Sequence, residues 1–348
     1  MKDFLLGKTL TELKEIASKL NMPSFAAKQI AQWLYQKKVT SIDQMTNLSK
    51  SQRSLLEEKF EIGASQPSST AKSVDGTIKY LFKTDTNKFV EAVYIPDNDR
   101  ATLCVSSQMG CKMNCLFCMT GKQGFNGNLT SNEIINQIQS IPENDKLTNL
   151  VFMGMGEPMD NSEQLFKTLE ILTSDWGYGW SPKRITVSTI GLLSNLERFL
   201  NENHCHLAVS LHSPFPEERL SIMPVEKAWP MYDVIKLLKK YDFTRQRRLS
   251  FEYIMFNGFN DSLRHAAELV KLLKGMSCRV NLIRFHAIPN VELKTSDENS
   301  MIEFRDYLTS HGITCTIRSS RGEDIFAACG MLSTLEQKKK QQDNSPEI

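Results

Sequence analysis

The feature that most limits the possible folds is an alternation that begins near residue 100. Short runs rich in β-branched and apolar residues predict strands at 102–105, 150–153, 185–188, 207–210, 249–255, 280–283 and 313–317. Amphipathic stretches with helical periodicity lie between them, at 132–141, 162–172, 231–240, 265–273 and 301–310. Alternating strands and helices joined by right-handed crossovers form a parallel sheet. Roughly six or seven repeats over about 230 residues predict an α/β fold with a partial or complete (β/α) barrel rather than a doubly wound sheet.

The first part of the chain has a different pattern, which predicts a small N-terminal helical accessory domain at 1–70. Apolar residues recur there at helical spacing: Leu10, Leu13, Ile16, Leu20, Ala27, Ile30, Trp33 and Leu34. The stretch 63–71 (GASQPSSTA) has the composition of a linker. Strand-like runs at 77–83 and 88–96 predict a β-hairpin connection at 71–99, before a barrel at 100–335. We expect 336–348 to be a flexible tail.

Composition excludes several classes of protein. Forty-two basic and forty acidic residues leave a net charge of +2, so an argument for a nucleic-acid partner must rest on local clusters. The N-terminus lacks the apolar core of a secretory signal, and no run of about 18 apolar residues occurs. Eight cysteines in 348 residues are too few for a disulfide scaffold. We therefore expect a cytoplasmic protein with no membrane contact.

Three of the cysteines, Cys111, Cys115 and Cys118, form a C-x3-C-x2-C triplet. Three thiolates can hold three irons of a cubane cluster and leave the fourth iron open to a small molecule. A structural zinc site would need a fourth ligand, and no Cys or His follows at finger spacing. Incidental buried thiols are the other alternative, but the glycines and polar residues around the triplet indicate a loop.

The triplet, with an aromatic residue before its third cysteine, resembles the signature of the radical S-adenosylmethionine superfamily. Longer motifs resemble, more narrowly, the RlmN family: RATLCVSSQMGC at 100–111, GKQGFNGNLT at 121–130, FMGMGEP at 152–158, VSTIG at 187–191, SLHS at 210–213 and DIFAACG at 324–330. The resemblance covers 91–332. It implies a partial barrel of the radical S-adenosylmethionine type with a [4Fe–4S] cluster on the three cysteines. It also implies methylation of carbon 2 of adenine, at adenosine 2503 of 23S rRNA and adenosine 37 of tRNAs.

Most of these motifs directly follow predicted strands. The carboxyl ends of barrel strands meet at one mouth, where such folds place their chemistry. The resemblance implies that one set of residues contacts S-adenosylmethionine: Gly156, Glu157, Ser188, Ser210, Leu211, His212 and His286. Taken singly, Ser188 and Ser210 could be strand-end caps and His212 a loop histidine. Their joint order along the chain favours one binding site.

A second set of residues concerns the methyl transfer itself. Carbon 2 of adenine has no lone pair, so a polar methyl transfer has no nucleophile there. The resemblance implies that Cys329 first accepts a methyl group and becomes a methylcysteine intermediate. It implies Glu91 as general base and Cys104 as the thiol that releases the product, leaving a transient disulfide with Cys329. From the residues alone, Cys329 could be a small buried residue and Glu91 a strand-edge charge.

Three positions depart from the family pattern, and rival functions stay open. His286, Gly127 and Met331 stand where many relatives have Asn, Arg and Gln. The rival Cfr-type enzymes methylate carbon 8 of the same adenosine, but Pro158 and the motif at 100–111 favour the carbon-2 enzymes. A rival of another class is a zinc-dependent RNA-binding module without catalysis.

The expected partners follow from the same resemblance. They are 23S rRNA, tRNA and an electron donor such as flavodoxin or ferredoxin, and we expect the protein to be a monomer. Basic clusters at 37–38, 183–184, 239–240 and 245–248 could contact phosphates, although a charge run is more often a solvated face.

Overall fold

The computed structural model describes residues 2–244, 247–332 and 334. Its strands are β1 (Asp3–Phe4), β2 (Phe60–Glu61), β3 (Ser69–Lys72), β4 (Ile78–Lys83), β5 (Phe89–Asp97), β6 (Arg100–Cys104), β7 (Gln108–Gly110), β8 (Phe125–Asn128), β9 (Asn149–Phe152), β10 (Ile185–Thr189), β11 (His206–Ser210), β12 (Leu249–Met255), β13 (Arg279–Arg284) and β14 (Thr314–Ile317). Its α-helices are α1 (Leu10–Lys19), α2 (Ala26–Ala31), α3 (Lys50–Lys59), α4 (Met119–Lys122), α5 (Ser131–Gln139), α6 (Ser162–Thr173), α7 (Leu193–Glu202), α8 (Pro216–Ile222), α9 (Met231–Leu238), α10 (Leu263–Leu272) and α11 (Glu298–Ser310).

A ten-stranded sheet, ordered β14-β13-β12-β11-β10-β9-β6-β5-β4-β3, forms the centre of the fold. Strands β6 and β9 to β14 run parallel, whereas β5, β4 and β3 continue the sheet in antiparallel fashion. Within the described chain, β14 and β3 are the two edges of this sheet, so the barrel is open. The predicted partial α/β barrel is confirmed.

The regular parallel strands all lie where the periodicity predicted them, within one or two residues. Other elements were not predicted. Helices α7 and α8 were missed, as were the short antiparallel strands β7 and β8 that flank the cysteine triplet. Strand β3 lies in the stretch that ends the predicted linker. Its small polar residues still pair with β4 because an edge strand needs only its backbone groups for pairing.

The N-terminal segment packs on the barrel through backbone and side-chain hydrogen bonds. Helix α1 begins at Thr9 in a capping box with Glu12 and buries Leu13 and Ile16. Asn132 on α5 donates to the carbonyls of Leu6 and Gly63, at 3.3 and 3.0 Å. No helix in the described part of the chain is long and apolar enough to cross a membrane.

Strands β5 and β6 place Glu91 and Cys104 on the same face of the sheet. Val93 on β5 lies opposite Cys104 on β6, so the two side chains point to the same side. Glu91 is two residues from Val93 and shares its side because strand side chains alternate. The hairpin is therefore continuous with the sheet and carries Glu91 towards the barrel interior.

Candidate active site

A cavity of about 190 Å³ lies at the carboxyl ends of the parallel strands. Its wall includes Cys104 at the end of β6, Phe152 at the end of β9, Ser210 at the end of β11 and Arg318 just after β14. Most of the site residues predicted from the sequence also line it: Cys104, Cys111, Cys115, Cys118, Gly156, Glu157, Ser188, Ser210, His212 and Cys329. The motifs that are scattered along the sequence therefore meet at one mouth, as the strand order predicts.

The cysteine triplet lies in the loop between β7 and β8. Cys115 is buried, whereas Cys111 and Cys118 are half-buried. Burial raises the pKa of the Cys111 thiol to about 12, and the neighbouring Cys118 thiol raises it as well. The loop is held by hydrogen bonds from Leu116 N to Ile222 O, 2.9 Å, and from Met119 N to Gly330 O, 2.8 Å. Thiols in such a setting ionise readily only when a bound cation compensates the charge.

The donor set suits an iron–sulfur cubane. Cys111, Cys115 and Cys118 line one cavity, and in a cubane three thiolates each bind a different iron. Met113 and Phe117 line the cavity beside the three thiols and provide an apolar surrounding. The residues present therefore fit a [4Fe–4S] group held by Cys111, Cys115 and Cys118.

The loop after β9 carries Glu157 into the cavity wall. Gly156 has φ +97°, and a Cβ there would come within 2.4 Å of the Gln108 side chain, so a larger residue is excluded. The Glu157 carboxylate accepts hydrogen bonds from Met159 N and Ile190 N, both at 3.0 Å. Burial raises the pKa of Glu157 to about 7, although these hydrogen bonds oppose the shift. This carboxylate can accept a hydrogen bond from a ligand ammonium group.

His212 follows β11 in a left-handed conformation, with φ +58°. Its Nδ1 accepts a hydrogen bond from Ile254 N at 3.0 Å, and its ring lies 4.9 Å from the Phe117 ring in an edge-on contact. Burial lowers the pKa of His212 to about 3, and the charge of Arg219 lowers it as well. The imidazole is therefore neutral at pH 7, with its proton on Nε2 as a donor.

Arg219 on α8 is fully buried and was not among the predicted site residues. It donates from Nε to Leu211 O, 3.0 Å, and from Nη2 to Ser210 O, 3.1 Å, and Ile190 O, 3.2 Å. Its charge is paired with Glu226. The guanidinium thus fixes the carboxyl ends of β10 and β11, from which the cavity wall is built.

Two lone cysteines face the same cavity, and both are free thiols. Burial raises the pKa of Cys104 to about 12, and the nearby Cys329 thiol contributes in the same direction. Glu252 and Arg318 line the cavity with them and were not predicted. Glu252 did carry a signal, because it is a charged residue in the middle of the apolar strand LSFEYIM.

The segment that leads to Cys329 is attached to the turn between β3 and β4. Asp75 Oδ2 accepts from Gly322 N at 2.9 Å, and Ser73 Oγ donates to Asp324 Oδ1 at 2.5 Å. A Cβ on Gly322, which has φ +64°, would meet the Ala327 side chain at 2.8 Å. The turn between β3 and β4 therefore holds in place the segment that leads to Cys329.

Three predicted site residues do not line the cavity. Glu91 is buried and its carboxylate lies 3.1 Å from Lys79 Nζ, which also donates to Phe326 O at 3.3 Å. Leu211 is buried and is not among the residues that line the cavity. His286 lies beside Glu323, with 3.4 Å between Nδ1 and Oε1. Arg245 of the predicted basic clusters and the tail 336–348 lie outside the described residues.

Two family models match the chain. Residues 105–270 match the radical S-adenosylmethionine superfamily, and residues 4–62 match the N-terminal domain of ribosomal RNA large subunit methyltransferases. The first match begins beside Cys104 and includes the cysteine triplet, and the second includes the N-terminal helices.

Similar proteins cover nearly the whole chain. The chain is 68% identical over 330 residues to the "Probable dual-specificity RNA methyltransferase RlmN" of Parabacteroides distasonis, covering 95% of this chain and 96% of the relative. It is 40% identical over 336 residues to the "Dual-specificity RNA methyltransferase RlmN" of Syntrophus aciditrophicus, covering 95% and 97%. A crystal structure of a radical SAM methyltransferase from Sphaerobacter thermophilus has a TM-score of 0.89 at 37% identity, covering 95% of this chain and 99% of that one.

Proposed function

Because the chain belongs to the RlmN family of radical S-adenosylmethionine RNA methyltransferases, we propose that it methylates carbon 2 of adenine in RNA. We propose adenosine 2503 of 23S rRNA and adenosine 37 of tRNAs as its targets. The observation that carries the proposal is the shared cavity, in which the cysteine triplet faces both Cys104 and Cys329. A cluster-binding site alone would not need two further thiols beside it.

The cavity residues have distinct proposed roles towards the cofactors. Cys111, Cys115 and Cys118 would hold the [4Fe–4S] cluster. We propose that S-adenosylmethionine is contacted by one set of residues: Gly156, Glu157, Ser188, Ser210, Leu211, His212 and His286. Glu157 would accept hydrogen bonds from the ammonium group, and the neutral His212 would donate from Nε2. Leu211 and His286 do not line the described cavity, so their contacts would be made at its rim or through the backbone.

Cys329 is the proposed carrier of the methyl group. Its thiolate attacks the methyl carbon of S-adenosylmethionine, the bond from that carbon to the sulfonium breaks, and S-adenosylhomocysteine leaves. When bound by Cys111, Cys115 and Cys118, the cluster would supply the electron for radical chemistry with a second S-adenosylmethionine. Cys329 would hold the methyl group that this chemistry activates, so that its carbon can bond to carbon 2 of the base.

Glu91 and Cys104 complete the proposed reaction. The adduct would return one electron to the iron–sulfur centre that supplied it and give its carbon-2 proton to Glu91, whose partner Lys79 also contacts the segment before Cys329. The Cys104 thiolate then attacks the sulfur of Cys329, and the bond from that sulfur to the methylene breaks. The methylene gains a proton and becomes the methyl group, while the two cysteines form a disulfide that a reductant must reopen.

The domains divide the proposed work. We propose that 1–70 assists RNA binding, that 71–99 supplies Glu91, that 100–335 is the catalytic barrel and that 336–348 is a tail. Because rRNA and tRNA are the proposed substrates, we propose a cytoplasmic location. We also propose that flavodoxin or ferredoxin supplies the electrons and that the protein works as a monomer.

Product analysis tests the function. Holoenzyme incubated with an rRNA fragment or a tRNA transcript, S-adenosylmethionine and a reductant should yield 2-methyladenosine, detected by chromatography and mass spectrometry against standards. Mainly 8-methyladenosine would instead assign the chain the chemistry of the Cfr type. No methylated adenosine with either RNA would contradict the proposal.

Iron and sulfide analysis tests the cofactor. Anaerobically purified protein should contain about four irons and four sulfides, and Cys115→Ala should lose them because a cubane needs all three thiolates. Cys205→Ala is the matched control, since Cys205 is buried outside the cavity. Zinc in place of iron would favour the non-catalytic module.

A further inference from the structure

A second cavity, of about 460 Å³, lies at the amino ends of the parallel strands. This is the end of the barrel opposite the cavity that contains the cysteine triplet. Its wall is assembled from several elements. Lys183 precedes β10, His206 begins β11, Arg248 precedes β12 and Arg279 begins β13. Adjacent strands lie about 4.8 Å apart, so Arg248 and Arg279 start one strand apart and Lys183 lies two strands from Arg248. The fold therefore gathers cations that are far apart in sequence.

The charges of this cavity are not balanced. None of its described lining residues is an Asp or Glu. In the part of the chain that the structure describes, Lys183, Arg248 and Arg279 form no ion pair, unlike Arg198 or Arg284 elsewhere on the surface. Asp242 lies in the same loop but is outside the lining and accepts hydrogen bonds from Thr244 N and Oγ1, at 2.8 and 2.6 Å.

The cations around this cavity act on one another's pKa and on that of His206. Burial lowers the pKa of Arg248, and the charges of Arg279 and Arg100 lower it as well. Burial also lowers the pKa of His206 to about 4, and Arg248, Lys183, Arg247 and Arg279 lower it in turn. Arg248 N donates to His206 Nδ1 at 2.9 Å, so the neutral ring keeps its proton on Nε2 as a donor. Gathering like charges without a counter-ion is unfavourable, and a bound anion would remove that cost.

We propose that this cavity binds phosphate groups of the RNA backbone, as a second contact remote from the reacting base. The two cavities lie at opposite ends of strands that are five to seven residues long, which places them roughly 15–20 Å apart along the strands. A folded tRNA or an rRNA fragment can bridge that distance, whereas a short stem-loop that fills the catalytic mouth cannot. The inference rests on the proposed function only in taking RNA as the ligand.

Salt dependence of RNA binding tests the proposal. Arg248→Gln/Arg279→Gln should weaken binding of a whole tRNA transcript roughly tenfold or more near 0.15 M salt, with the slope of log Kd against log salt reduced by about 1.4–1.8. The control Lys236→Gln/Lys271→Gln makes the same charge change on α9 and α10, outside the cavity, and should leave the slope unchanged. A short stem-loop should bind wild type and both variants alike.

Thermal melting separates binding from a structural role. Without RNA, the cavity variant should melt no lower than wild type because it removes repulsion between cations. Inorganic tripolyphosphate is the probe for a free phosphate ligand. If it stabilises wild type while the RNA slopes of wild type and cavity variant agree, the ligand is a small phosphate compound and the RNA assignment is overturned. Equal slopes without that stabilisation overturn the site altogether. Loss of methylation activity alone would instead concern the proposed reaction, since these binding measurements do not require it.

Discussion

Arg318 extends from the end of β14 towards Glu252 on β12, with 3.8 Å between its Nε and the Oε2 atom of the carboxylate. Glu252 is buried, and its Oε1 accepts hydrogen bonds from Ser250 Oγ, 3.0 Å, and Asn281 Nδ2, 2.8 Å. The charge of Glu252 raises the pKa of Arg318. One carboxylate thus joins three neighbouring strands and keeps a guanidinium in the cavity that holds Cys104 and Cys329.

Removal of this carboxylate should weaken the barrel. Glu252→Ala leaves Ser250 and Asn281 without their acceptor and Arg318 without its counter-charge, so the free energy of unfolding should fall by about 1–3 kcal/mol. Urea denaturation measures the change. Glu268→Ala is the control, because Glu268 pairs with Lys271 at the surface. Equal stability of Glu252→Ala and wild type would show that the network does not hold the strands together.

Arg219 should be more costly to replace than any surface arginine. Arg219→Met leaves Glu226 buried without its partner and frees three carbonyls, so stability should fall by about 3–5 kcal/mol. Arg219→Met/Glu226→Met should regain part of the loss, because the stranded charge is gone. Arg198→Met, at a residue that pairs with Glu163 and Glu202 on the surface, should change stability by less than about 1 kcal/mol. A double variant less stable than the single one would argue against this origin of the loss.

The parallel strands could be predicted from the sequence, whereas the role of Arg219 could not. The parallel strands were predictable because continuous β-branched runs are typical of strands buried on both faces. Arg219 was not, because α8 reads PEERLSI, the composition of an exposed helix, and only its position against β10 and β11 buries the guanidinium. Strands β7 and β8 are too short, and too rich in Gly, Gln and Asn, to show a periodicity.

The candidate site was predicted from motifs rather than from periodicity. Ordered motifs at strand ends identified Cys111, Glu157 and His212 as neighbours, since the carboxyl ends of parallel strands converge. They did not show that Glu91 would point inward, which depends on the hairpin joining the same sheet. The hairpin itself was predicted, but β5 also pairs with β6 across the two-residue turn at Asn98 and Asp99, and the strand pattern did not assign that pairing.

Glu157 should make stability depend on pH. Its pKa of about 7 in the folded chain lies above the ordinary value of 4.5, so its contribution is fully present below pH 4.5 and is lost as pH rises through 7. Glu157→Gln cannot ionise, so the stability difference between the two proteins should shift in favour of the variant between pH 5 and pH 8. Urea denaturation of both proteins across that range measures the shift. Parallel pH profiles would show that Glu157 titrates as an ordinary carboxyl.

The two lone cysteines should fail at different steps. Cys329→Ala should form neither methylated protein nor an RNA adduct, because the carrier sulfur is missing. Cys104→Ala should still methylate Cys329 and add it to RNA, but a covalent protein–RNA species should accumulate because nothing attacks the sulfur. Denaturing gels before and after nuclease treatment reveal that species, and Cys205→Ala should resemble wild type. Normal turnover by Cys104→Ala without a trapped species would reassign the release step.

The attachment of the 322–324 segment to the β3–β4 turn bears on how the protein is made. Asp75 accepts a hydrogen bond from Gly322 N, which is 247 positions later in the sequence. Asp75 therefore leaves the ribosome long before its donor is synthesised. A nascent chain that ends after β14 already contains the cysteine triplet, Cys104 and the parallel strands. It lacks Gly322, the residue that donates to Asp75. The thiol of Cys329 enters the cavity only after the segment 322–329 has been synthesised, so a nascent chain that ends after β14 lacks the sulfur proposed to carry the methyl group.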